Sequence, residues 1–454
     1  MKRTLSVCLC LLLCLAILSG CGDVEESSSA VESARESHGE NSSAVESLPQ
    51  ESSEESKSQN TENTPPVEEE EGSLTDLLAG ITAQEPEETV TALDYSPMLV
   101  DLALRLAQTT QAQDKESNLL VSPLSVFCAM AMVSNGAVDT EVVADFWGGN
   151  GVQSINSFMH EYLASLKNTE KSKLHLANAV WFTEDASFTV NRDFLQTMAD
   201  YYKASAFQAP FDEQTCKDIN NWVERNTDGM IKDLLNEIPE DAVMYLVNAL
   251  AFEAEWFSPY AEGSVREGVF HGANGSDRTV QMMHGVNVYL EDDYATGFRK
   301  SYRGNYSFVA MLPKEGMNVE DYLASLTGEN LYELLNAPSG GEAITAMPEF
   351  ETEFKTDLRS VLLSMGYPLN GCFDGVGTST KGPVTTSRIL HKTYITVGPL
   401  GTKAGAATLI EMPTGSAENP VYAGTVVLDR PFVYMIVDNE YNIPLFIGTV
   451  QNVG

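Results

Sequence analysis

Gly401-Thr402-Lys403-Ala404-Gly405-Ala406-Ala407-Thr408-Leu409-Ile410-Glu411-Met412 is the stretch on which the reading of this chain turns. Every second residue from Thr402 (Thr402, Ala404, Ala406, Thr408, Ile410, Met412) is small or apolar, and the interleaved set carries Lys403 and Glu411. That alternation has the period of a half-buried strand. Two glycines, three alanines and the Pro413-Thr414-Gly415-Ser416 that follows are instead loop material. A strand's pattern in a loop's composition predicts a segment with two conformations. Taken alone, it is better read as an Ala/Gly-rich surface loop.

Before that stretch, the N-terminus gives an address. Met1-Lys2-Arg3 precedes an apolar run over residues 7–18 and then Leu18-Ser19-Gly20-Cys21. A positive start, a short apolar core and small residues before a cut site predict a secretory signal over residues 1–20, too short to read first as a spanning helix. The Leu-Ser-Gly-Cys ending resembles a bacterial lipobox, which implies that Cys21 is diacylated; two acyl chains suffice for stable anchoring. Of the seven cysteines, Cys8, Cys10, Cys14 and Cys21 lie in this region. Cys128, Cys216 and Cys372 are odd in number and widely spaced, and suggest neither a disulfide framework nor a metal site.

Residues 21–71 hold fifteen acidic residues against Arg35 and Lys57, a net −13. They are Ser/Glu-rich and nearly free of large apolar side chains, which predicts a disordered, self-repelling tether. Removing that and the signal's +2 from the chain's −38 leaves −27 on residues 72–454. Such an acidic domain excludes nucleic acid as the expected partner, and membrane contact is expected through the lipid rather than through charge.

From residue 74 the chain reads as folded. Residues 74–81 suggest a helical turn or two. Met98, Leu99, Leu102 and Leu106 share one helical face, and further helices are expected over 125–133, around Phe194 and over 216–235. Strands are expected at 174–182, 244–252, 279–283, 306–312, 343–347, 393–397, 425–428, 432–437 and 445–450. Helices early and strands late, without strict alternation, predict a mixed α+β fold with large, mostly antiparallel sheets.

Catalytic patterns are absent from the sequence: it has no H-E-x-x-H, no phosphate-binding glycine loop, and only an incomplete elbow at Gly377-Thr378-Ser379-Thr380-Lys381. Ser122, Ser125 and His391 invite a nucleophile-and-base reading. Ser122-Pro123-Leu124-Ser125, however, has the chemistry of a helix cap, with proline in the first turn. The expectation is therefore no enzyme, no catalytic residue, no cofactor and no metal.

Ordered motifs now accumulate: Asn118-Leu119-Leu120-Val121-Ser122-Pro123-Leu124-Ser125, Leu176-Ala177-Asn178-Ala179-Val180-Trp181, Ile219-Asn220-Asn221-Trp222-Val223-Glu224, Leu246-Val247-Asn248-Ala249, Met311-Leu312-Pro313, Leu390-His391-Lys392, the opening stretch, Arg430-Pro431-Phe432 and Pro444-Leu445-Phe446-Ile447-Gly448. In order and spacing, from about Tyr95 onward, they resemble the serpins. The resemblance implies a serpin domain over 72–454 with three β-sheets, eight or nine helices and an exposed reactive-centre loop. It implies a hinge at Gly401, Thr402, Lys403, Ala404, Gly405, Ala406, Ala407 and Thr408, where short inward side chains let a cleaved loop insert as a strand. Family spacing puts the cut bond between Gly415 and Ser416, with Thr414 the alternative. A long segment beyond keeps Met412 and Val421 in play.

Ser122, Ser125, Asn248 and His391 resemble the family's shutter and Trp256 its breach. Pro399-Leu400 departs from the acidic pair common before the hinge, and Pro399 is expected to slow or bias insertion. The implied function is a monomeric suicide-substrate inhibitor anchored at the cell surface, acting on a serine protease or alternatively a cysteine protease. Small residues at the bond, with no Lys or Arg from 404 to 428, point to elastase-like or subtilisin-like targets. The alternative is a non-inhibitory serpin acting as a surface binding module.

Overall fold

The computed structural model describes residues 74–86, 89–240, 242–386, 388–403 and 421–453. The expected signal, Cys21, the tether, Ala404 to Thr408, Thr414, Gly415 and Ser416 lie outside them.

Nine α-helices occur among the described residues: α1 (Ser96–Gln111), α2 (Pro123–Ser134), α3 (Thr140–Phe146), α4 (Val152–Ser165), α5 (Arg192–Tyr202), α6 (Glu213–Asn226), α7 (Val319–Ser325), α8 (Gly328–Asn336) and α9 (Arg359–Ser364). In α1 the expected apolar face (Leu99, Leu102, Leu106) is buried. All twelve residues of α2 are buried, so it is a core helix and not a surface one. Ser122 caps it, accepting from the Ser125 N–H, with Pro123 in the first turn.

The strands, numbered in chain order, form three sheets. The central sheet has seven, in the order β1 (Thr75–Asp76), β5 (Ser205–Ala209), β3 (Ser172–Thr183), β6 (Met244–Glu255), β15 (Gly401–Thr402), β14 (Leu390–Gly398) and β12 (Phe350–Asp357). Only β3 and β5 pair in parallel; β3 and β6 are registered along nearly their full length, Ser172 opposite Ala254 through Phe182 opposite Met244.

The second sheet runs β16 (Gly424–Val427), β11 (Glu342–Pro348), β8 (Asp277–Glu291), β9 (Ala295–Ser301), β10 (Tyr306–Pro313), β17 (Phe432–Asp438), β18 (Ile443–Val450) and β2 (Leu119–Val121), with β7 (Val265–His271) also on β8. A small pair, β4 (Phe188–Val190) with β13 (Gly377–Ser379), completes the set. This mixed α+β architecture, with three sheets and nine helices among the described residues, is the one the resemblance implies.

The main core lies between the two large sheets, where α2 touches both β6 and β18. It receives Leu250, Phe252 and Ala254 of β6 and Ile395 and Val397 of β14. β10, β17 and β18 are buried at every position, which accounts for their largely apolar sequences. A second cluster packs α6 (Ile219, Trp222, Val223) on the outward face of the central sheet, against Ala177, Ala179, Trp181, Val247 and Ala249. The two faces of β6 are thus both covered, each by alternate residues.

Two expected elements differ. Residues 74–81 form β1 and a turn, not helix: Thr75 pairs with Gln208 and Asp76 with Phe207, so a free sheet edge captures the segment. The helix expected over 216–235 ends at Asn226, because Asp228 (φ 51°) and Gly229 (φ 71°) take left-handed conformations that a helix cannot contain. The apolar residues beyond, Ile231, Leu234 and Leu235, are buried against the sheet from irregular chain.

Candidate functional site: the gap in the central sheet

β15 pairs antiparallel with β6 on one side and with β14 on the other. β6 and β14 therefore run parallel to each other, and among the described residues the two of β15 bridge them in the ladder. Gly401 and Thr402, the first two residues expected in the hinge, are those two. Thr402 lies opposite Ala254 and Val397, and the Lys403 N–H continues the pattern by donating to the Thr396 carbonyl at 2.9 Å. Gly401 has φ +155°, and a Cβ there would stand 2.0 Å from the Ala254 carbonyl oxygen; the close approach of backbones requires glycine.

Pro399-Leu400 forms the turn between β14 and β15, with Gly398 opposite Gly401. Proline fits the second position of such a turn, where no N–H donor is needed. The carbonyls of both turn residues are used, Pro399 accepting from the Tyr260 N–H and Leu400 from the Trp256 N–H, each at 2.9 Å. Pro399 is thus part of what seats the hinge.

An aromatic cluster holds this end of the gap. Trp256 is fully buried, donates from Nε1 to the Gly398 carbonyl at 2.8 Å and stacks on Tyr302 with ring centroids 4.2 Å apart. Tyr302 in turn shares a 2.6 Å hydrogen bond with the buried hydroxyl of Thr402. Lys300 places its ammonium 4.2 Å from the Tyr260 ring centroid and donates to the Ser258 carbonyl at 2.8 Å; burial lowers its pKa to about 8. Tyr302, Tyr260 and Lys300 carried no sequence signal: the Tyr302–Thr402 bond joins residues 100 positions apart.

Ser122, Ser125, Asn248 and His391 do converge, at the other end of the gap. His391 is buried and its Nε2 accepts the Ser122 N–H at 3.1 Å, which requires the neutral ring. Burial depresses its pKa to about 4. The Ser122 hydroxyl donates to the Leu445 carbonyl at 3.0 Å, and that of Ser125 to the Asn248 carbonyl at 3.4 Å. Neither hydroxyl is bonded to the imidazole, so the constellation is not a nucleophile and base. Asn248 donates from Nδ2 to the side-chain oxygen of Asn178, which itself donates to the Tyr202 carbonyl at 3.1 Å. Asn178, within Leu176-Ala177-Asn178-Ala179-Val180-Trp181, thereby extends the cluster onto β3. The Asn248 Oδ1 atom is buried beside the weakly donating thiol of Cys128, whose pKa burial raises to about 12.

A cavity of about 470 Å³ opens where β6 and β14 separate, lined by Ser125 and Ala129 of α2, Leu246 and Asn248 of β6, and Leu390 and His391 of β14. Among the described residues the site is therefore a slot, closed at one end by Gly401 and Thr402, with a cavity at the other and strand edges of β6 and β14 without a ladder partner along its sides. Such a slot suits an incoming strand.

The comparisons with known proteins agree with this geometry. A family model described as Serpin (serine protease inhibitor) matches residues 98–453. An alpha-1-antitrypsin-like protein, GS55-MS, of Ictidomys tridecemlineatus is 28% identical over 406 residues, covering 84% of this chain and 96% of the relative. An uncharacterized serpin-like protein of Methanosarcina acetivorans is 30% identical over 392 residues, covering 82% and 92%. The crystal structure of a thermophilic serpin, tengpin, in the native state superposes with a TM-score of 0.78 at 38% identity, covering 84% of this chain and all of that one. The chain belongs to the serpin family, whose members in general inhibit serine proteases rather than catalyse reactions.

Proposed function

We propose that this serpin is an extracytoplasmic suicide-substrate inhibitor of serine proteases, with elastase-like or subtilisin-like targets favoured. One observation carries the reading: β6 and β14 are parallel, bridged among the described residues by the two-residue β15, with Gly401 and Thr402, the first residues of the expected hinge, in register between them. Continuing that register, Ala404 would face Phe252 and Ile395, Ala406 would face Leu250 and Thr393, and Thr408 would come opposite Asn248 and His391. Thr402 already points to the core and Lys403 outward to the Asp228 carbonyl. The same alternation would send Ala404, Ala406 and Thr408 inward, where small side chains meet a filled core. Ile410 and Met412 would arrive beside the cavity, and their burial would contribute roughly 1.5–3 kcal/mol each.

The target's serine oxygen attacks the carbonyl carbon of Gly415 and the bond to Ser416 breaks (alternatively that of Thr414, with the bond to Gly415 breaking), the nitrogen leaving protonated. An ester to the protease remains. Insertion of the freed loop then carries the esterified protease away before water completes the reaction, from a native state that is kinetically trapped. Cys21 as a lipidated N-terminus and residues 21–71 as a tether would hold the monomeric 72–454 domain at the outer membrane face.

Incubation with a panel of serine and cysteine proteases tests this reading. An inhibitor leaves an SDS-stable complex of summed mass, and mass spectrometry of the released peptide gives the cut bond. Cleavage of the loop without any complex supports the binding-module alternative instead. Metabolic labelling with a fatty acid, abolished in Cys21→Ser, tests the anchor.

A further inference from the structure

A second side-chain cluster lies on the outward face of the central sheet, apart from the slot. His175 of β3, Glu253 of β6 and Asp228, from the chain leaving α6, each bring a ligand atom to within 4.8 Å of the others. It is the only such group among the described residues. The register sets His175 opposite Ala251, so Glu253 is its diagonal neighbour on the same face. The left-handed turn at Asp228 and Gly229 brings the third member over the sheet. The Nε2 atom of His175 is buried without a hydrogen-bond partner, and buried ring nitrogens ordinarily have one. Among the described residues no ion pair engages either carboxylate; Lys403, on the same face, donates to the Asp228 backbone carbonyl at 3.1 Å.

We propose that His175, Asp228 and Glu253 bind one divalent cation of the zinc class, fastening the chain after α6 to β3 and β6 beside the hinge. One imidazole nitrogen and two carboxylate oxygens are a borderline-soft donor set, suited to zinc rather than to calcium or magnesium. Tetrahedral zinc holds its ligand atoms about 3.3 Å apart, given bonds of about 2.0–2.1 Å. Asp228 is exposed and Glu253 half-buried, and rotation of their side chains would have to close the remaining distance. Two carboxylates balance the cation's charge and water fills the fourth position. Lys173 and Lys403, which act electrostatically on His175, oppose the cation and temper its affinity.

The site also touches the switch. Lys403 is bonded to Asp228 itself, so the segment the cation would fasten overlies the start of the path the loop would take. Bound zinc is expected to slow insertion, a consequence that rests on the inhibitor reading, whereas the site does not.

Full-length protein stripped with EDTA and titrated calorimetrically with zinc chloride should bind one equivalent that calcium chloride does not displace. Affinity should fall roughly tenfold or more in His175→Ala and in Glu253→Gln. It should hold in Cys21→Ser and in His38→Ala, and rise in Lys403→Ala. Melting without zinc confirms that each variant folds. No stoichiometric binding, or binding that survives both the His175 and Glu253 changes, overturns the site. Zinc bound as described but without effect on the rate of protease-complex formation overturns the coupling alone. A chain that forms no protease complex at all refutes the inhibitor reading, and the titration still decides the site.

Discussion

His391 offers the sharpest quantitative test of the slot's polar end. Its Nε2 accepts the Ser122 N–H inside the protein, and burial holds its pKa near 4, against about 6.5 in an unfolded chain. Between those values the unfolded chain binds a proton that the folded one refuses. The stabilisation is therefore complete above about pH 6.5 and is lost as pH falls towards 4. The loss is about 2 kcal/mol at pH 5 and about 3 kcal/mol at pH 4.

Asp438 works the other way: burial raises its carboxyl to about 6, so its contribution improves as pH falls through that range. The assay must therefore compare wild type with His391→Asn, which offers an acceptor oxygen but does not titrate. Melting of the intact form of each is followed from pH 7 to pH 5. With an unfolding entropy near 0.8 kcal/mol/K for a domain of this size, wild type should lose about 2–3 °C more than the variant. Parallel pH profiles would refute a buried, neutral His391 accepting from Ser122.

Three substitutions probe the other end of the slot. Gly401→Ala sets a methyl 2.0 Å from the Ala254 carbonyl oxygen, and should expel β15 and lower native stability by about 1–3 kcal/mol, read by denaturant melting. Tyr302→Phe strands the buried Thr402 hydroxyl at a cost of about 1–2 kcal/mol, and should speed amide hydrogen exchange at Thr402 and Lys403. Thr402→Arg must bury a cation where Thr402 is fully enclosed, and should turn protease trapping into simple cleavage, seen on SDS gels as lost complex with unchanged cutting.

Much of the fold was legible in the sequence where periodicity and burial coincide. β6 and β18 are apolar because both their faces are covered, and α1 shows its buried stripe directly. α4 was missed although Ile155, Phe158, Met159 and Tyr162 are buried at helical spacing; its polar face of Gln, Ser, Asn and His diluted the signal. The overrun of α6 past Asn226 followed from apolar residues that continue while the backbone turns at Asp228.

Gly401 and Thr402, which pair with β6 and β14, open an alternation of small residues, a local signal that the sequence carries by itself; residues 404–408 lie outside the described residues. The polar cluster was legible only through resemblance, since Ser122, Asn248 and His391 meet from three distant segments. The Trp256–Tyr302–Thr402 grip and the His175–Asp228–Glu253 cluster left no trace in spacing at all, because sheet register, not sequence separation, makes them neighbours.

The central claim is that the slot between β6 and β14 accepts the cleaved loop as a full strand. Its most direct test is to cut the loop once with a non-target protease and compare the melting of cleaved and intact protein. The account predicts that the cleaved form melts well above the intact one, with new amide protection along β6 and β14. Equal melting temperatures, with both strand edges still exchanging freely, would contradict it.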